Sequence, residues 1–247
     1  MSDLTALVTG ASRGIGLGVA GRLAAQGYSL TITARDPERL DAVAEDLRHA
    51  GAPDVVAVAG DMADAEFPAA IIAAHAERFG AEMTALVLNA GVGTAGAVAE
   101  YPMRRFDKTI DVNLRAPFAL LQQSVPLLRA GASARPGRGA KVVALASITG
   151  VFAEGGLAVY GATKAALISL VQTFNTEESG NGVSATAISP AYVDTDMAAW
   201  IHDKIPAEQM LEVDDVVEMV DGLLRLSSRA VVPNIVMTRA GTDGLRA

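Results

Sequence analysis

The 247-residue sequence contains no cysteine. Disulfides and thiolate metal centres are therefore excluded, and a reducing cytosol is compatible. Positive charge is also in short supply. Twenty Lys and Arg face 28 Asp and Glu, giving a net charge of -8 and a pI of about 4.9. That balance argues against nucleic acid or an anionic membrane surface as a partner. No apolar run is long enough to span a bilayer. The start, Met1-Ser2-Asp3-Leu4-Thr5, lacks a cationic region followed by a long apolar one, so no signal peptide is expected. The expectation is a cytoplasmic protein with no membrane attachment and no metal ion.

Apolar residues are plentiful at 51 %, enough for a sizeable core, and many are alanines suited to helices packed closely on a sheet. Short apolar runs alternate with longer helical patterns. The predicted strands are 6–9, 29–33, 55–58, 85–88, 141–145, 183–188 and 231–236. Most are apolar throughout rather than alternating, as strands buried on both faces of a parallel sheet are. Helical periodicity covers 37–49, opening on the cap-and-proline pair Asp36-Pro37, and 66–79. This alternation predicts an α/β, doubly wound, mostly parallel seven-stranded sheet of Rossmann type. One domain over residues 1–247 is expected, with a small substrate lid around 195–212. The stretch 131–139 reads as a nine-residue surface loop. Its arginines raise the idea of an anion site. However, it leads into the N-terminal end of a strand, and ligands of such sheets bind at the other end, so a solvated loop is the expectation.

The first strand runs into Thr9-Gly10-Ala11-Ser12-Arg13-Gly14-Ile15-Gly16. Glycines there let the backbone turn tightly and approach a pyrophosphate, which the next helix meets with free N–H groups and its positive end. The same residues match the G-x-S-x-G nucleophile elbow of serine hydrolases. Only nine residues precede Gly10, too few for the sheet that carries such an elbow. His49, His75 and His202 have no supporting motif. The hydrolase reading is set aside.

The adenosine end shows in the second strand, which finishes Ile32-Thr33-Ala34-Arg35. An acid there would hold a ribose diol. Ala34 carries no charge and Arg35 follows it, while Arg13 lies in the glycine turn. Guanidinium groups suit a 2′-phosphate, so NADP(H) is the expected cofactor. Asp36, one residue on, keeps NAD open.

Tyr160 and Lys164 lie four apart in the helical pattern 157–174 and so share a face. A tyrosine near pKa 10 exchanges protons poorly at neutral pH, and a neighbouring cation favours its phenolate. Ser147 ends the strand before this helix, where its hydroxyl can hold a substrate oxygen.

Together, residues 9–16, Asn89-Ala90-Gly91, Asn113, Ser147 and the Tyr160/Lys164 pair resemble the short-chain dehydrogenase/reductase family, in the right order over residues 4–197. Ser189-Pro190-Ala191-Tyr192-Val193-Asp194-Thr195 extends the resemblance. It implies Tyr160 as proton donor and acceptor, Ser147 as the group polarising the carbonyl, Lys164 on the nicotinamide ribose, and Asn113 holding a water in a proton relay. It also implies Asp61 and Met62 at the adenine, and Asn89, Ala90 and Gly91 along the adenosine. Pro190, Val193 and Thr195 would flank the nicotinamide and pyrophosphate, with Thr149 and Val151 as pocket candidates. Two departures stand out. Ala191 replaces the family's usual glycine, and the tail 237–244 lacks its double-glycine ending. The resemblance, with the apolar helical patterns 106–128 and 157–174, implies a homodimer or homotetramer. The leading reading is an NADPH-dependent reductase of a small carbonyl substrate, such as a 3-oxoacyl thioester. An NAD-dependent alcohol dehydrogenase and a non-catalytic dinucleotide sensor are the alternatives.

Overall fold

The computed structural model describes residues 4–244. Seven strands form one sheet: β1 (Thr5–Thr9), β2 (Ser29–Ala34), β3 (Val55–Ala59), β4 (Ala85–Leu88), β5 (Ala140–Leu145), β6 (Val183–Pro190) and β7 (Asn234–Met237). Their order is β3-β2-β1-β4-β5-β6-β7, and every neighbouring pair is parallel. The order reverses between β1 and β4. A crevice opens there at the C-terminal ends of the strands.

The strand sequences explain the burial. In β1, Ala6 and Val8 join a core layer with Val19, Leu23, Leu40, Val216 and Val220, which come from helices α1 (Gly14–Ala25), α2 (Pro37–His49) and α7 (Val213–Leu224). Leu7, between them, points to the opposite layer. It meets Ile71, Leu120, Leu128, Leu167 and Val171 from α3 (Phe67–Phe79), α5 (Ala116–Ala134) and α6 (Ala158–Glu178). Both faces are apolar, hence the continuous apolar runs in the sequence. Among the described residues, no helix is long and apolar enough to cross a membrane.

Three expectations are corrected. The stretch 131–139 is not wholly loop, because α5 continues to Ala134. Gly131 lies within that helix and is there for close packing: a Cβ at that position would stand 2.3 Å from the Met83 carbonyl oxygen. The last strand starts at Asn234 rather than Val231, because Pro233 has no N–H to give the ladder; it does accept from Ala187 at 3.1 Å. The pattern 106–128 is not one helix. It comprises α4 (Met103–Ile110), a π-helical turn at Asp111–Arg115, and α5. Periodicity cannot show such a turn, which widens the helix locally and recurs at functional sites.

Candidate active site

A cleft of about 760 Å³ lies at the C-terminal edge of the sheet. Gly10, Ser12, Arg13, Gly14 and Ile15 form its floor where β1 hands over to α1. No side chain caps the start of α1, and its first turn holds no acid. Its leading N–H groups are thus available to an anionic ligand. Gly16 stands behind the floor. A Cβ there would lie 2.2 Å from the Gly10 oxygen and 2.4 Å from Asn89 Nδ2. Asn89 occupies that space, donating to the carbonyls of Thr9 (2.9 Å) and Gly10 (3.1 Å) and so tying β4 to the turn. Ala90 and Gly91 continue the wall.

At one end of the cleft lie Arg35, Asp61 and Met62. Arg39, which sequence reasoning missed, joins them from the first turn of α2, which starts just beyond the C-terminal end of β2. Asp36 is otherwise engaged. It is the N-cap of α2, where its carboxylate accepts from the Arg39 N–H at 3.2 Å. Asp61 accepts from the Ala63 N–H and lies 3.7 Å from Lys108. Arg13 does not stand free beside Arg35, for its guanidinium pairs with Asp196 at 3.0 Å.

At the other end, Ser147, Tyr160 and Lys164 share the cleft. Ser147 Oγ accepts from Thr149 N (3.2 Å) and Thr149 Oγ1 (2.9 Å), which fills its lone pairs and leaves its own O–H to donate. Lys164 is buried. It donates to the Leu145 carbonyl at 2.6 Å, with its ammonium 5.6 Å from the centre of the Tyr160 ring. Burial lowers the Lys164 pKa to about 8. Burial also pushes the Tyr160 phenol above its ordinary value, with the Ser147 side chain acting in the opposite direction.

Asn113, in the π-helical turn, is buried and does not line the cleft. Its Oδ1 accepts from Val92 N at 2.8 Å, and its Nδ2 donates to Val92 O and Thr163 Oγ1. Thr163 Oγ1 in turn donates to the Tyr160 carbonyl at 2.7 Å.

Pro190, Val193, Thr195 and Thr149 line the cleft, whereas Val151 does not. Ala191 needs no glycine conformation: among the described residues no non-glycine has positive φ, and its N–H bonds the Met237 carbonyl at 2.8 Å. Trp200 is 57 % exposed, lines the mouth and packs edge-on against Tyr192 at 6.1 Å. Among the described residues no histidine lines the cleft, so no triad assembles around Ser12. His75 is buried in α3 against Thr31.

The sheet order, the uncapped glycine turn at the switch point and the wall beyond it make this a dinucleotide-binding α/β protein of the oxidoreductase kind. The family profile described as short chain dehydrogenase matches residues 4–206, and the chain belongs to that family of oxidoreductases. A 3-oxoacyl-[acyl-carrier-protein] reductase FabG of Staphylococcus aureus is 34 % identical over 209 residues, covering 84 % of this chain and 81 % of the relative. A short chain dehydrogenase from Burkholderia cenocepacia, solved with NADP, superposes with a TM-score of 0.83 at 30 % identity, covering 96 % of both chains. An alcohol dehydrogenase from Thermococcus sibiricus with 5-hydroxy-NADP gives 0.85 at 28 %, covering 96 % of this chain and 97 % of the other. A nicotinamide dinucleotide thus fits both the family and the cleft.

Proposed function

We propose that the chain reduces a carbonyl compound with NADPH, and that Tyr160 delivers the proton. The observation that carries this reading is the grouping of Ser147, Tyr160 and Lys164 at one end of the cleft, with arginines at the other. The bound nicotinamide supplies the hydride. Ser147 donates to the substrate oxygen as negative charge builds there. Tyr160, its pKa raised by burial, holds its proton at neutral pH and is ready as the acid. As the proton leaves, the Lys164 ammonium stabilises the phenolate. Asn113 acts as a positioning residue. Its side chain is committed to Val92 and Thr163, so in this reading the relay water rests on the main chain beside it.

Preference for NADPH is supported by Arg35 and Arg39 at the adenosine end, by the uncharged Ala34, and by the engagement of Asp36 as a helix cap. Asp61 and Met62 border the adenine in the same reading. The substrate enters past Tyr192, Met197 and Trp200, which suits an apolar substituent on the ketone. With the name of the Staphylococcus aureus relative, this favours an acyl-chain ketone such as a 3-oxoacyl thioester. Residues 195–212 serve as its lid. The cytoplasm is the proposed setting. Exposed Met103, Phe106 and Phe118 on α4 and α5 support a homodimer or homotetramer built on that face.

The test is initial-rate kinetics on a ketone panel with NADPH and NADH. Tyr160→Phe should lower kcat by about 10²–10⁴-fold while still binding cofactor. Arg35→Ala should weaken NADPH about tenfold or more and leave NADH within a few-fold. A Tyr160→Phe enzyme near full kcat overturns the acid assignment, and equal wild-type affinity for the two cofactors overturns the preference.

A further inference from the structure

The opposite edge of the sheet holds a second cavity, of about 200 Å³. Four cations border it: Arg135 and Arg138 from the loop after α5, Lys141 at the start of β5, and Arg225 at the end of α7. The sequence places this loop at the edge where such sheets do not bind cofactors. The fold nevertheless closes it onto Tyr28 and α7, which sequence spacing does not reveal.

The partners of these cations can be counted. Lys141 is 5 % exposed, and among the described residues its ammonium donates only to neutral oxygens, Ser184 Oγ at 2.9 Å and Ser227 O at 3.0 Å. An ammonium has three donors, so one is left over. Arg138 donates to the Arg225 carbonyl. Arg135 is half-buried and forms no ion pair among the described residues. Arg225 alone meets a carboxylate, Asp221 at 3.0 Å, and Asp221 is shared with Arg22 (3.2 Å) and Gln26 (2.8 Å). The helices α1, α5 and α7 all end here, and each C-terminus carries about half a negative charge. Four cations exceed one shared carboxylate and three such ends. Burial lowers the Lys141 pKa, and Arg138 lowers it further by like charge, which is the mark of a positive site. In a chain of net charge -8 this excess is local, with Lys141 buried at its base and Arg138 and Arg225 exposed at its rim.

We propose that this basal cavity binds a tetrahedral oxyanion of the phosphate class, held by Arg135, Lys141 and the part of Arg225 not turned to Asp221. Its size sets the class. Pockets for drug-sized ligands run to about 300–1,000 Å³, so this one takes a small anion or the phosphoryl end of an ester.

The test is calorimetric titration of the whole protein with inorganic phosphate at fixed ionic strength, with NADP⁺ saturating so that the cofactor cleft does not contribute. Wild type should bind one phosphate per chain saturably. Arg135→Gln should weaken that binding about tenfold or more and leave NADP⁺ affinity unchanged, which also shows the variant folded. Lys141→Met should act in the same direction. Glucose 6-phosphate as titrant separates the two sources: rejection assigns the free ion, and binding assigns an ester. Absence of saturable phosphate binding, or unchanged binding in Arg135→Gln, overturns the proposal. If NADP⁺ itself fails to bind, the cofactor reading falls, while the difference between wild type and Arg135→Gln still decides the basal site.

Discussion

Arg13 Nη1 and Asp196 Oδ2 stand 3.0 Å apart, joining the glycine turn to the segment that follows β6 across the mouth of the cleft. Both side chains are more than half exposed, so the pair is weak and screened by water and salt. On the proposed NADPH reading it nevertheless occupies an arginine that could meet the 2′-phosphate, and it adds a carboxylate to the cleft lining.

Asp196→Asn should therefore tighten NADPH binding. An exposed pair is worth up to about 1 kcal/mol, so the gain should reach about fivefold, with a smaller change for NADH. Fluorescence titration with both cofactors measures it. Unchanged NADPH affinity would show that Arg13 takes no part in reading the phosphate.

Ser147→Ala should lower kcat about a hundredfold or more while cofactor affinity stays within a few-fold. Thr149 already fills the acceptor side of Ser147, so the lost function is donation to the substrate oxygen. Single-turnover rates beside cofactor titration separate the two effects. A loss confined to NADPH binding contradicts the assignment.

Lys164 makes stability depend on pH. Its folded pKa, about 8, lies below the ordinary 10.5, so the native state binds fewer protons than the unfolded chain between those values. The cost of burying the charge is complete below that window and is relieved as pH rises through it. Wild type should gain about 2 kcal/mol relative to Lys164→Met between about pH 7 and about pH 9.5. Urea unfolding at both pH values checks this, and a flat difference would show that the amine is not desolvated.

Gly131→Ala should destabilise by about 1–3 kcal/mol, since the new Cβ meets the Met83 backbone, which cannot move aside as a side chain can. Gly137→Ala, with nothing within 4 Å of its Cβ, is the control. Equal midpoints in denaturant for the two variants would refute the packing argument.

Much of this was legible in the sequence. Apolar runs located the strands, since burial on both faces leaves no other pattern, and Asp36-Pro37 fixed the start of α2 to the residue. The Tyr160/Lys164 spacing survives because a helix carries it intact. What escaped depends on contacts between distant segments. Arg39 reaches the cleft because the first turn of α2 sits over the end of the sheet, and Arg13 finds Asp196 across 183 residues. The turn around Asn113 was hidden for a different reason: one extra residue rotates the following face by about 100°, and a single phase shift between two short helical stretches does not stand out in a mixed apolar pattern.

The cap on α2 bears on how such a chain can change over generations. A single carboxylate at position 36 starts a helix, and while it does so it is engaged with the Arg39 N–H. On the proposed NADPH reading, a lineage moving toward the unphosphorylated cofactor cannot simply turn Asp36 around, because the helix would lose its cap, at a typical cost of about 1 kcal/mol. The simpler route is a new acid at position 34, at the end of β2. Preference set at position 34 and helix initiation at position 36 can thus vary separately, and drift at residue 36 is constrained by folding before it is constrained by chemistry.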